Sequence, residues 1–135
     1  MNTTTRVLLN PGDAHFTDVH FTKAFPALWE MLLEWQLTPV ESHLLIHLVA
    51  RARFKTNVVY TVGHAEIGEA TRHHRSSVGR ALAHLVDIGA IARTTRDGQR
   101  LITVNPLVAY RGNSMERGRV ISVHDWRQPA NTRPR

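Results

Sequence analysis

The chain has 135 residues and carries 17 lysines and arginines against 11 acidic residues, a formal net charge of +6. That length suits one small domain with a single core, and an apolar content of 42% argues against wholesale disorder. With no cysteine, disulfides, thiolate metal sites and a thiol nucleophile are excluded. No apolar run approaches the roughly 20 residues of a membrane span, and the opening MNTTTRVLLN lacks the apolar core of a secretion signal, so a cytoplasmic protein without membrane contact is expected.

Residues 1–13 are polar and end in the turn cluster Asn10-Pro11-Gly12-Asp13, which reads as a flexible lead-in. The alternation around Val19 and Phe21 predicts a short strand within His15–Phe25. Pro26 suits the first turn of a helix over 26–36, with Leu28, Met31, Leu32 and Trp35 on one face. Thr38-Pro39-Val40-Glu41 is a capping-box signature. The helix it opens buries Leu44, Leu45, Leu48, Val49 and Ala52 and is predicted to end near Phe54. Asn57–Tyr60 reads as a strand, and His64–Ala70 as a short helix with Ala65, Ile67 and Ala70 inward.

The stretch RHHRSSVGRALAHL, Arg72 to Leu85, starts with basic and hydroxyl chemistry and turns apolar within one helical turn. Val78, Ala81, Leu82 and Leu85 give a helix over about 75–87 a single apolar stripe, and Gly89 suits its C-terminal cap. Two β-like runs, Ala90–Thr95 and Arg100–Val104, flank Asp97-Gly98, a strong hairpin signal. Asn105-Pro106 closes the second strand. Val120–Trp126 fits either a short strand or a short helix that docks Trp126, within a docking segment over 113–127; the basic tail, 128–135, is expected to be disordered.

The order helix, short strand, short helix, turn, longer helix, hairpin is that of a winged helix-turn-helix in an α+β, mainly α, domain over 14–112. Seven arginines fall between Arg72 and Arg111, against Asp87 and Asp97 alone, a local excess that rewards contact with phosphates. In this arrangement the longer helix presents Arg75, Ser76, Ser77, Gly79 and Arg80 to base edges, with Arg72, His73 and His74 in the turn before it. Gly79 either lets that helix approach DNA closely or relieves packing against a neighbour. Arg93, Arg96 and Arg100 arm the wing and position the protein on phosphates. The expected partner is double-stranded DNA.

Glu66–Arg93 resembles the helix-turn-helix of bacterial winged-helix regulators. Gln99–Gly112, a strand ending in Asn105-Pro106 followed by Tyr110-Arg111-Gly112, is similar to the RepL-type plasmid replication proteins, in which a comparable Asn-Pro element follows the wing. The resemblance covers about residues 19–112 and implies origin binding and recruitment of host replication proteins. The chain departs from the pattern at Arg72, where a glycine is favoured, and at His74, where a serine caps the helix. A transcriptional repressor on the same domain and a protein-interaction module with a degenerate helix-turn-helix are the alternatives.

His43 and His47 have a chelating spacing but lack further ligands, so they read as surface or boundary histidines and no metal or cofactor is expected. No catalytic motif is present, and the protein is not expected to be an enzyme. Trp29, Trp35 and Val120–Trp126 are candidates for a homodimer interface.

Overall fold

The computed structural model describes residues 21–60 and 63–132. The lead-in and most of the strand expected near Val19 lie outside the described residues. What is described of that strand is β1, Lys23–Ala24. About half of the described residues are helical, in an α+β arrangement.

Helix α1, Pro26–Glu34, starts at its proline and buries Ala27, Leu28 and Met31. Helix α2, Pro39–Arg51, carries the expected capping box: Glu41 N–H donates to Thr38 Oγ1 at 3.2 Å, and Thr38 N–H to Glu41 Oε1 at 2.9 Å. Two of the orphan amides of the first turn are thereby satisfied. The helix ends at Arg51 rather than near Phe54. Ala52 is already extended, and Lys55 and Asn57 take positive φ of 73° and 62°, which no right-handed helix accommodates.

Strand β2 is Val58–Val59 and helix α3 is His64–Thr71. Ile67 is buried as expected, whereas Ala65 and Ala70, expected inward, are exposed, and Gly68 and Thr71 are buried beside Ile67. These three lie on one helical stripe, and Thr71 is tolerated inside because its hydroxyl donates to Ile67 O at 2.7 Å. Helix α4, Arg75–Asp87, buries Val78, Ala81, Leu82 and Leu85 as its spacing predicts. Each large aliphatic side chain buried this way contributes roughly 1.5–3 kcal/mol.

Strands β3, Ile91–Arg96, and β4, Gln99–Val104, form the hairpin, one residue longer at the turn than the sequence pattern suggested. Asp97 and Gly98 both have positive φ, the geometry of a type I′ turn whose twist matches its strands. β2 adds to the other edge of β4, giving an antiparallel sheet of order β2-β4-β3. The register places Val59, Ile102, Ile91 and Val104 on the face that closes the core. Strand β5, Ala109–Tyr110, pairs antiparallel with β1, so the two ends of the compact unit are tied together.

Two buried asparagines hold the joints. Asn57 Nδ2 donates to Val104 O and Ala109 O at 2.8 and 2.7 Å. Asn105 Nδ2 donates to Gly89 O and Arg127 O, while its Oδ1 accepts from Leu107 N–H at 2.8 Å. The segment 120–126 resolves as the end of a helix, α5, Ser114–His124, which has its own capping box between Asn113 and Glu116 and buries none of its residues. In the described part of the tail that begins at Gln128, Ala130 N–H donates to Ile88 O at 3.0 Å. Residues 133–135 lie outside the described residues.

Candidate nucleic-acid interface

The turn between α3 and α4 is built by Arg72, His73 and Gly68. Arg72 takes the left-handed conformation, φ 62° and ψ 42°, and its N–H returns to Gly68 O. His73 N–H reaches the same carbonyl at 2.9 Å. Gly68 makes this closure possible, because a Cβ there would run into the His73 carbonyl oxygen. The sequence departs from expectation at Arg72, and the glycine the turn needs stands four residues earlier. A glycine inside a short helix was the available signal, since that position costs about 1 kcal/mol unless geometry requires it.

His74 is the N-cap of α4. Its Nδ1 accepts from Ser76 N–H at 3.2 Å and lies 2.8 Å from Ser76 Oγ. The imidazole therefore does the work expected of a serine, and only a ring with an unprotonated Nδ1 can accept. His73 is half-buried, and its Nε2 lies 2.9 Å from Nδ1 of His43 on α2, with the two rings edge to face at 78°. His43 thus braces the turn from the helix behind it, a contact that its pairing with His47 in sequence did not suggest.

Along α4 the exposed residues are Arg75, Ser76, Arg80, Ala83 and Asp87, with Arg72 just ahead of them. Ser76, Arg80, Ala83 and Asp87 follow one another at steps of four, three and four, the complement of the buried stripe, and Arg75 stands beside this row at the first position of the helix. Ser77 and Gly79 are half-buried and stand apart from this row. A Cβ at Gly79 would lie 3.2 Å from His64 Nδ1 at the start of α3. This geometry favours the packing reason for Gly79, since its open side is filled by a ring. Ala83 continues the exposed row, and the 76-80-83 spacing is the signal that would have included it.

The hairpin register divides the three arginines. Arg93 pairs with Ile102 and Arg100 with Thr95, so Arg93 and Arg100 share the face turned toward α3 and α4. With His64 and Leu82 they line a recess of about 260 Å³. Arg96 pairs with Gln99 and points to the opposite face. All three are exposed. Exposed Glu66 and Glu69 on α3 bound the basic surface on that side. Of the other residues singled out in the sequence, Trp29 is exposed while Trp35 packs against the core. Among the described residues no helix is long and apolar enough to cross a membrane.

In comparisons with family models, with curated proteins and with solved structures, the chain matches none.

Proposed function

We propose that the protein binds duplex DNA in a sequence-specific manner. In this reading α3 and α4 are a helix-turn-helix, α4 is the recognition helix and the β3–β4 hairpin is the wing of a winged-helix domain. The observation that carries it is the exposure of Arg75 at the start of α4 and of Ser76 and Arg80 along its outer row, with Arg93 and Arg100 on the adjoining face of the hairpin. A helix of this width fits the major groove, and its arginines can pair bidentately with guanine, each pair discriminating by about 1–3 kcal/mol. The similarity to RepL-type proteins extends the proposal to binding at a plasmid origin and recruitment of host replication proteins. A homodimer would place two such helices in successive grooves.

Selection of bound duplexes from a random pool, followed by affinity measurement on the selected site, tests the reading. Arg75→Ala and Arg80→Ala are each expected to lower affinity for the selected site by about tenfold or more while leaving binding to unrelated duplex nearly unchanged. Failure to enrich any duplex would overturn DNA recognition. Maintenance of a plasmid that carries this reading frame and its flanking DNA, lost with Arg75→Ala, tests the replication role separately.

A further inference from the structure

The second face of the β2-β4-β3 sheet looks away from α4. By register it carries Val58, Thr103 and Ala92, then Leu101 and Thr94. The end of α5 and the segment that follows it cross over this face without closing on it. Between them lies a cavity of about 610 Å³, well within the range of small-molecule sites. Leu101 is buried on this side yet stands outside the central core cluster. α5 buries none of its residues, so the roof rests on its ends: the Trp126 backbone N–H returns to Ile121 O, and the Arg127 and Ala130 backbones are tied to Asn105 and Ile88.

The lining has a definite chemistry. Tyr60 and Trp126 supply aromatic surface, Leu101 and Val120 aliphatic surface, and Thr94 and Thr103 hydroxyls. The Trp126 indole N–H is buried and has no acceptor among the described residues. The charges around the cavity are mostly cationic. Lys55 is matched by Glu116 at 3.4 Å and Arg127 by Asp125 at 3.1 Å. Arg96 and His124 have no ion-pair partner among the described residues. An apolar, aromatic-walled recess with an unmatched guanidinium at one side suits a flat apolar body bearing one negative group.

We infer that this cavity is a binding site for a small planar aromatic anion, a carboxylate or sulfonate, whose ring lies between Leu101 and Trp126 and whose charge meets Arg96. The site is separate from the proposed DNA surface on α4, and its occupancy does not depend on DNA binding.

The test is titration of the full chain, ¹⁵N-labelled, with 1-naphthoate, and with 1-naphthalenemethanol and inorganic phosphate as neutral and ring-free counterparts. Trp126→Phe identifies the Trp126 indole signal among those of Trp29 and Trp35. The expected result is saturable movement of the Trp126 signal by naphthoate, binding of naphthalenemethanol weaker by about tenfold, and no response to phosphate. Contacts from the naphthoate ring protons to the methyl groups of Leu101 and Val120 place the ligand without relying on any variant. Arg96→Gln is expected to reduce naphthoate affinity to that of the neutral compound. Thr103→Trp, which fills the cavity, should abolish binding. A naphthoate response confined to Trp29 or Trp35, absence of the Leu101 contacts at saturation, or equal affinity for the neutral compound would each overturn the assignment.

Discussion

Arg72 holds a left-handed backbone that an arginine adopts only at a cost of about 1–2 kcal/mol, and the turn into α4 depends on it. Arg72→Gly is therefore expected to stabilise the domain by about 1 kcal/mol, seen as a higher urea midpoint with an unchanged slope. An unchanged midpoint would mean that the side chain makes compensating contacts. His47 gives a second prediction at this scale. Its pKa lies below the ordinary 6.5, first because burial disfavours the charged ring, then because Arg51 and His43 repel it. In the folded chain the ring binds its proton less readily than in the unfolded chain. The contribution to stability is therefore whole above pH 6.5 and is lost as pH falls below that value through the folded pKa. The melting temperature should drop as pH is lowered over this interval, and His47→Gln should flatten the drop; an identical slope in the variant would remove His47 as its source. The identity of His74 was legible as a departure from a serine cap. Its solution, an imidazole nitrogen accepting the Ser76 amide, was not, because residue preferences carry no ring orientation.

Among the elements, periodicity and caps predict structure wherever the signal is local. The capping box at Thr38, the stripe of α4 and the Asp97-Gly98 turn all follow from neighbours within a few residues. On α3 the sequence marks Ile67 as buried but not the rest of its inward face, because alanine is small enough to sit on either side and Thr71 buries once its hydroxyl is bonded to Ile67. The hairpin shows what register adds to composition. Three arginines look equivalent in sequence, yet pairing sends Arg93 and Arg100 to one face and Arg96 to the other. If α4 and the hairpin grip the same duplex, Arg93→Ala and Arg100→Ala should each weaken binding to any sequence and lower the salt dependence by about one phosphate's worth, with a slope change of about 0.9. Arg96→Ala should change that slope least. Equal effects from all three would place the duplex against both faces of the hairpin.

For the whole molecule, the order of elements and the α+β class could be read along the chain, whereas the long-range ties could not. Neither the pairing of Lys23 with Tyr110 nor the buried bonds of Asn57 and Asn105 to distant carbonyls has a local signature. The docking of Ala130 under Ile88 belongs with these, since composition alone marks that tail as disordered. What the chain shows locally is the central run from α2 to β4; what only folding shows is how its beginning and end meet.

That meeting bears on the order of events in folding. β1 and β5 are neighbours in space but lie more than eighty residues apart in the chain (Lys23 pairs with Tyr110), Phe25 N–H bonds Val108 O, and Arg117 stacks on the Phe25 ring at 3.7 Å. Closing so long a loop costs chain entropy that no nearby contact returns, so the helices and hairpin between can assemble first and α1 is sealed last. Tyr110, whose hydroxyl donates to Lys55 O at 2.6 Å, belongs to that seal. Tyr110→Phe removes a bond worth about 1 kcal/mol, so stopped-flow unfolding should run roughly fivefold faster while the refolding limb stays in place. A slowed refolding limb instead would put the seal in the nucleus. On a ribosome, the same topology means that a nascent chain holds α2, α3 and α4 before it can latch, and that latching waits for the synthesis of Tyr110.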